Sequence, residues 1–317
     1  MTSMQEKGRR YAESVNKAFV RIFDELLNDE RLHRGTEMQF ARALEREFSA
    51  VQDAWYEEES EELGRRTLQD YLNEAEEEEL LDFLQGFAEK LDYEFPAALE
   101  PIVAALTAEG RKRYLDLILQ RSPEAGAGDL PEEEELADIY LLRQLLPMAS
   151  VWKDDAVSSL LLDWYLEAET PDERTAESLG LYFRRFGAEG AALLGRRIRI
   201  EVQEGRSEQN GTDYLLQDLT AVCKGDEALI AEAYPVLRDA FRKMEKKQIA
   251  AICLGDLGSV RAIPLLRAYI EKNYKSIDRA LYYDILSSVQ RLGGSTEDLP
   301  DPFGDFNQAG GPGLFAF

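Results

Sequence analysis

The fold of this 317-residue chain is best predicted from the stretch LGDLGSVRAIPLLRAYI, residues Leu254 to Ile270. The apolar residues leading into and through its first part lie three or four apart, as on one face of a helix: Ile249, Ile252, Cys253 and Leu257. A second set at helical spacing follows the turn: Ala262, Leu265, Leu266, Tyr269 and Ile270. Gly258 stands where the first set ends, a position where helices commonly adopt a left-handed conformation that suits glycine. Because Pro264 lacks an N–H and fits only in a first turn, the second helix starts near Arg261, and we predict two antiparallel helices.

The same break recurs along the chain. Each copy has a glycine at the end of an apolar helical pattern, at Gly187, Gly225, Gly258 and Gly293, with spacings of 38, 33 and 35 residues. Weaker copies lie upstream, one at Gly110 and one at residues 147–153, where two helices meet without a glycine. This interval is typical of helical-hairpin repeats, which bury their apolar faces by stacking on one another. We therefore predict an all-α fold, an α-solenoid of antiparallel hairpins over residues 132–293.

The best copy resembles a known repeat. Residues 254–266 are similar to the HEAT repeat, particularly to the short bacterial form also found in phycobilin lyases. The matching residues are Leu254, Gly255, Leu257, Gly258, Arg261, Ala262, Pro264, Leu265 and Leu266, with Ile263 in a valine position. Ser259 and Val260 replace the usual Asp-Pro of the turn, and the other copies keep only the glycine and the apolar spacing. The resemblance implies a right-handed superhelix that binds another protein or, as in the lyases, acts on a bilin.

The remaining segments divide the chain further. Residues 1–121 form a less regular, acidic helical region, in which one predicted core stripe is Val15, Phe19, Ile22 and Leu26 and another is Phe40, Leu44, Phe48, Val51 and Trp55. Residues 122–131, rich in Gly and Pro, are a linker or a long loop between repeats. Residues 294–317 lose all periodicity. Their apolar residues either cover the last repeat or form a peptide that another protein binds: Phe303, Phe306, Leu314, Phe315 and Phe317.

The net charge of the sequence limits the kinds of partner that the protein is expected to bind. The formal net charge is −25, from 62 acidic and 37 basic residues. Such a surface repels nucleic acids and anionic membranes, so neither is an expected partner. Two glutamate runs, YEEESEEL and NEAEEEELLDFL, are predicted to lie beside helix starts, where they favour the helix dipole, or to dock a basic partner. With no apolar run of about 18 residues and no secretory signal at the start of the sequence, we expect a cytoplasmic protein.

The sequence offers little catalytic chemistry. His33 is the sole histidine and is expected at the surface or at a helix end rather than as a base. Cys223 and Cys253 lie in apolar helical patterns and are expected to be buried thiols, the alternative being a disulfide or redox pair. No phosphate-binding loop, dinucleotide-binding motif or serine elbow occurs. We therefore expect no metal, no cofactor and no enzymatic activity.

One group of basic residues stands out against this acidic background. Two successive hairpins carry them: Arg184, Arg185, Arg196, Arg197 and Arg199, then Arg238, Arg242, Lys243, Lys246 and Lys247. They either pair with nearby carboxylates or form a stripe that docks an acidic partner. The leading functional hypothesis is a non-catalytic scaffold or adaptor that binds another protein. Alternatives are an acidic, immunity-type inhibitor that masks a basic partner such as a nuclease, a HEAT-like lyase, and a DNA glycosylase of HEAT-like type. The oligomeric state and the partner's identity stay open.

Overall fold

The protein is all-helical. A computed structural model describes residues 3–33, 35–124, 133–208 and 211–304, and within these ranges there is no β-strand, which confirms the all-α prediction. The helices are α1 (Met4–Leu27), α2 (Glu37–Tyr56), α3 (Leu68–Asn73), α4 (Glu77–Ala88), α5 (Glu100–Ala104), α6 (Ala108–Leu119), α7 (Glu133–Met148), α8 (Asp155–Leu166), α9 (Glu173–Phe186), α10 (Ala188–Glu204), α11 (Thr212–Cys223), α12 (Glu227–Lys243), α13 (Gln248–Asp256), α14 (Ala262–Asn273) and α15 (Arg279–Arg291). Short 3-10 helices cover Ala97–Leu99 and Ala149–Trp152.

The chain forms two compact units. The first unit comprises residues 1–154 and 172–182, and the second unit comprises residues 155–171 and 183–317. The first unit thus extends past the boundary near residue 121 that the sequence suggested, because α7 packs against both α4 and α6. Most of the expected linker, residues 125–131, lies outside the described residues.

The first unit is built on the crossing of α1 and α4. The two backbones come so close that a Cβ atom on Gly86 would lie 1.9 Å from the carbonyl oxygen of Gln5. Aromatic rings surround the crossing, with Tyr11 of α1 centred 5.3 Å from Phe87 of α4. The predicted stripe of α1 is confirmed as a core face near its middle, where Val15 and Phe19 have no exposed surface.

Two expectations for this unit are wrong. The YEEESEEL glutamates do not precede a helix, because Glu57 is the residue that caps the C-terminal end of α2. Gly110 does not end a helix either; it lies in the first turn of α6, next to the capping residue Thr107. A Cβ atom there would approach the carboxylate of Glu77 to between 2.3 and 2.5 Å, so this glycine admits a neighbouring side chain. The second glutamate run behaves as predicted, with Glu77, Glu78 and Glu79 in the first turn of α4.

The second unit contains the regular hairpins. The four glycines of the predicted interval all have a positive φ, between 74° and 89°, in the turns that follow helices: Gly187, Gly225, Gly258 and Gly293. The turn predicted without glycine, at residues 147–153, is also present and belongs to the first unit, with Lys153 in the left-handed region at φ 46°. Successive hairpins of the second unit pack side by side, since α11 contacts α13, α13 contacts α15, and α10 contacts α12.

The opening stretch shows why it holds two glycines. Gly258 supplies the left-handed turn between α13 and α14, with φ 80°. Gly255 lies inside α13, where a Cβ atom would come within 2.7 Å of the Ser288 side chain on α15. Pro264 lies in the first turn of α14, which begins at Ala262, as predicted. One glycine therefore serves the turn and the other serves the packing of neighbouring hairpins.

The segment after α15 folds back onto that helix as far as it is described. The Tyr282 hydroxyl donates a hydrogen bond of 2.9 Å to the carbonyl oxygen of Pro300. The Phe303 ring is centred 5.4 Å from the Tyr282 ring, in an edge-on arrangement. The first of the tail aromatics thus covers α15, whereas Phe306, Leu314, Phe315 and Phe317 lie outside the described residues.

Candidate functional site

A groove lies between α10 and α12 in the second unit. It has a volume of about 410 Å³ and runs over α11, whose side chains form its floor. Leu219 and Cys223 provide that floor, each 1% exposed. The groove therefore has an apolar base that belongs to a single unit of the structure.

Small side chains on α10 open the groove. Ala191, Ala192 and Gly195 face it from α10, and Pro235 and Val236 face it from α12. A Cβ atom on Gly195 would meet Val236 at 3.5 Å, an ordinary van der Waals contact, so the wall has room beside that glycine. The groove arises because small residues on α10 stand opposite a helix that contains a proline.

Charged side chains stand at the rim. Arg196 and Arg199 line the groove from α10, and Glu232 lines it from α12. All three side chains are exposed. Arg196 lies 3.6 Å from a carboxylate oxygen of Asp155, a contact between two largely exposed side chains that costs little to break. An apolar floor with two arginines at one wall suits an apolar segment that also carries a carboxylate.

Arg197, between these two arginines, points elsewhere. Its guanidinium forms ion pairs with Asp163 at 2.5 Å and with Glu201 at 2.9 Å. Glu201 has no exposed surface, and Arg206 also donates to it at 2.8 Å. These contacts make Arg197 part of a partly exposed ion-pair network around the buried Glu201 that links α8 and α10, rather than part of a docking surface.

The other predicted basic residues do not line the groove. Arg184 and Arg185 are exposed near the end of α9, and Arg242 and Lys243 are exposed in the last turn of α12. Arg238 pairs with its neighbour Asp239 at 2.8 Å. The groove thus brings together two of the predicted residues, Arg196 and Arg199.

The last two basic residues of the predicted stripe, Lys246 and Lys247, make hydrogen bonds that involve the backbone. The Lys247 ammonium donates to the carbonyl oxygen of Phe241 at 3.0 Å, close to the end of α12. The Lys246 backbone N–H donates to the Glu208 carboxylate at 3.2 Å. Both contacts fix the turn between α12 and α13.

The cysteines are buried free thiols, as predicted. Burial raises the pKa of Cys223 to about 11 and that of Cys253 to about 12. Because the thiolate is the reactive form, neither thiol is activated as a nucleophile. Cys223 serves the groove as part of its apolar floor.

The single histidine makes structural contacts at the end of α1. His33 is exposed, and its Nε2 lies 2.8 Å from the carbonyl oxygen of Leu27, the last residue of α1. Its ring stacks on Phe40 of α2 with centroids 4.4 Å apart. The expectation of a surface residue at a helix end is confirmed.

Sequence reasoning missed the buried carboxyl groups, and one of them, Asp218, lacks a hydrogen-bond partner at one oxygen. Asp218 on α11 is 8% exposed, and its Oδ2 has no hydrogen-bond partner. Burial raises the pKa of this carboxyl to about 7, against the opposing effect of the Arg184 charge. The pattern Leu215-Leu216-x-Asp218-Leu219 held the signal, since an acidic residue interrupts an apolar run.

The described part of the chain shows neither a metal site nor a membrane-spanning helix. It contains no group of three or more His, Cys, Asp or Glu side chains that could hold a metal ion. None of its helices combines the length and the apolar character needed to cross a bilayer.

The chain has no significant match among protein-family models, curated proteins or solved structures. The resemblance of residues 254–266 to the HEAT repeat therefore stays a prediction.

Proposed function

We propose that this protein is a non-catalytic interaction protein, a scaffold or adaptor that binds a segment of another protein in the groove between α10 and α12. The observation that supports the proposal is the combination of an apolar floor, at Leu219 and Cys223, with an arginine rim. A partner segment would bury an apolar side chain against the floor and place a carboxylate at Arg196 and Arg199. Such anchors surrounded by charged contacts are typical of protein–protein interfaces.

The packing of neighbouring hairpins supports the same role. Hairpins that pack side by side, as α10 to α15 do, create long surfaces that helical-repeat proteins use for binding. We extend the proposal to a HEAT-like superhelix on the strength of the sequence resemblance. We also place the protein in the cytoplasm, because two buried thiols without a disulfide are typical of a reducing compartment.

Charge reversal at the rim tests the groove. The tagged full-length chain, its Arg196→Glu/Arg199→Glu variant and an Ala192→Trp variant that fills the groove are incubated with extract of the native host. Retained proteins are then quantified by mass spectrometry. We expect a partner that wild type retains and both variants lose. The matched control is Arg242→Glu/Lys243→Glu, which changes charge equally on α12 at residues outside the groove lining.

The same experiment contains the results that would contradict the proposal. Retention of the same proteins by wild type and by both groove variants would exclude the groove as the binding site. Equal loss in the control variant would show that overall charge, and not the rim, governs binding.

A second candidate function, an acidic inhibitor of a basic partner, is favoured by a separate observation. Residues 51–100 hold 17 acidic and three basic residues, so the acid excess of the first hundred residues lies entirely in this half. In that case a basic protein would be retained by wild type and by the groove variants alike, and raised salt would release it.

A further inference from the structure

A pocket of the first unit lies between α7 and α9 and has a volume of about 260 Å³. The lining residues on the two helices are Leu136, Ile139, Tyr140 and Arg143 of α7 and Arg174, Glu177, Ser178 and Leu181 of α9. Both sets follow spacings of three, one and three, so each helix turns one face toward the pocket. The volume is just below the range of about 300–1,000 Å³ that is typical of sites for drug-sized ligands, so the pocket suits a smaller molecule.

Part of the pocket lining is apolar. Leu136, Ile139 and Leu181 contribute to it, and all three side chains are half-buried. Because the pocket separates α7 from α9 at these positions, some of their apolar surface stays accessible from it. A short apolar group of a ligand would bury that surface, which is favourable.

The pocket also carries charges of both signs. Arg143 and Arg174 are the basic residues of the lining, and Glu94 and Glu177 are the acidic ones. The Arg174 guanidinium donates to both carboxylate oxygens of Asp172, at 3.2 and 2.9 Å, so its charge is already compensated. With Arg174 set aside, one arginine and two glutamates still line the pocket, so a ligand that is only anionic or only cationic would meet a like charge.

Two of these charges belong to different helices and are not paired with each other. The Glu177 carboxylate has no hydrogen bond or ion pair with any described residue. The Arg143 guanidinium makes one hydrogen bond, of 3.3 Å, to the carbonyl oxygen of Asp92, which leaves most of its N–H groups for a ligand. A guanidinium donates to a carboxylate and a carboxylate accepts from an ammonium, so a ligand with both groups would satisfy both helices.

Other ligands with two charges fit less well. A quaternary ammonium has no N–H to donate to Glu177, and such groups are recognised by several aromatic rings together. The lining contains one aromatic ring, that of Tyr140. An internal segment of a peptide carries neither charge on its backbone.

We propose that the pocket between α7 and α9 binds a free α-amino acid with an apolar side chain. The ligand carboxylate would bind Arg143, its ammonium would bind Glu177, and its side chain would contact Leu136, Ile139 and Leu181. All these residues belong to the first unit, and none of them lines the groove, so the site does not depend on the function proposed above.

Isothermal titration calorimetry of the full-length chain with L-leucine tests this site. We expect saturable binding, and binding about tenfold weaker in Arg143→Gln and in Glu177→Gln, because each change removes one charge-assisted contact with the ligand. The matched control is Glu173→Gln, which neutralises an exposed glutamate of α9 outside the pocket lining and should keep the affinity.

Two analogues of leucine separate the contributions of its charged groups. Isocaproate lacks the amine and isoamylamine lacks the carboxylate, so each should bind about tenfold more weakly than L-leucine. L-Lysine and L-glutamate should also bind more weakly, because their side chains would place a charge against the apolar lining.

The same titrations can overturn the proposal. Absence of saturable heat with L-leucine, L-isoleucine, L-methionine and L-phenylalanine at millimolar concentration would show that the pocket takes no apolar amino acid. Binding that both lining variants leave unchanged, with folding verified by circular dichroism, would place the ligand elsewhere. Isocaproate that binds as tightly as L-leucine would show that the site recognises a carboxylate alone.

Discussion

The first unit holds 39 acidic and 19 basic residues, a net charge of −20, whereas the second unit holds 23 and 18, a net charge of −5. The units also use glycine differently. Gly8, Gly86 and Gly110 lie in the first unit at close contacts between chain segments. The second unit also has a glycine at such a contact, Gly255, but in addition it carries regularly spaced glycines, including Gly225 and Gly258, in turns with positive φ.

This difference explains why only the second unit has a visible repeat. Each hairpin needs one left-handed turn, so turn glycines recur once for every repeat. A glycine at a helix crossing depends on which helices meet there, and no regular interval along the chain fixes that. Regular glycines therefore reveal stacked hairpins, while glycines of equal importance at crossings leave no period in the sequence.

The units also differ in how they bury carboxyl groups. The second unit, although nearly balanced in charge, buries Glu201 and Asp218 inside helices. Glu201 has arginine partners, whereas the Asp218 Oδ2 has none. In the first unit Asp172 is buried but precedes α9, where backbone N–H groups of Arg174 and Thr175 donate to it. The buried carboxyl group of the first unit thus accepts hydrogen bonds from the N–H groups at a helix start, whereas one buried carboxyl group of the second unit has an oxygen without a partner.

The largest expected effect concerns the crossing in the first unit. Gly86→Ala would place a Cβ atom 1.9 Å from a backbone oxygen of α1, so α1 and α4 must separate and lose their packing. We expect a loss of about 3 kcal/mol or more in the free energy of unfolding, measured by urea denaturation, since overpacking against backbone leaves no side chain to move. Hydrogen exchange should show the loss in residues of the first unit.

The control for this prediction comes from the second unit. Gly195→Ala adds a Cβ atom at ordinary contact distance from Val236, in the interior of α10. We expect this variant to be as stable as wild type or more stable by about 0.5–1 kcal/mol, because alanine favours helices over glycine. Equal destabilisation by both substitutions would contradict the contrast between crossing glycines and others.

The second-largest effect is expected in the second unit, where the stability should depend on pH. The pKa of Asp218 is raised from 3.8 to about 7, so between these pH values the folded state binds a proton that the unfolded state has released. The contribution of Asp218 to the free energy of unfolding therefore falls as pH rises from about 4 to about 7 and is constant above that range. Asp218→Asn removes this decline, and we expect the variant to gain roughly 2 kcal/mol over wild type between pH 5 and pH 8.

Denaturation at both pH values measures that gain. The control Gln217→Asn changes an exposed, non-titrating side chain beside Asp218 on α11 and should show the same stability difference from wild type at pH 5 and at pH 8. A difference between Asp218→Asn and wild type that does not change with pH would show that burial does not perturb this carboxyl in solution.

The contrast between turn glycines and packing glycines also explains how much of the fold could be predicted from the sequence. The helices and turns of the second unit were predicted because a turn is a local event that glycine marks. The Gly110 prediction failed because the close approach of Glu77 joins residues 33 positions apart, and no local pattern records that contact.

The candidate site was predictable only in part, for a geometric reason. Successive residues point about 100° apart around a helix, so Arg196, Arg197 and Arg199 cannot share one surface. Arg196 and Arg199 line the groove, and Arg197 turns to Asp163 and Glu201. Which of three neighbouring arginines meets a partner depends on α8 and α12, elements that lie far away in the sequence.

The smallest effects on stability are expected at two left-handed turns, one that the second unit makes with a glycine and one that the first unit makes with a lysine. Gly258→Ala forces a side chain into the left-handed region at φ 80° and should cost about 1–2 kcal/mol in the free energy of unfolding. Lys153, in the first unit, already occupies that region at φ 46°, so Lys153→Gly should relieve strain and stabilise the protein by about 0.5–1 kcal/mol, less than the strain itself because glycine is more flexible when unfolded. Urea denaturation of the two variants should therefore give shifts of opposite sign. If Gly258→Ala proved neutral, the regular glycines would not be needed by the turns, and the explanation of why only the second unit has a visible repeat would fail with them.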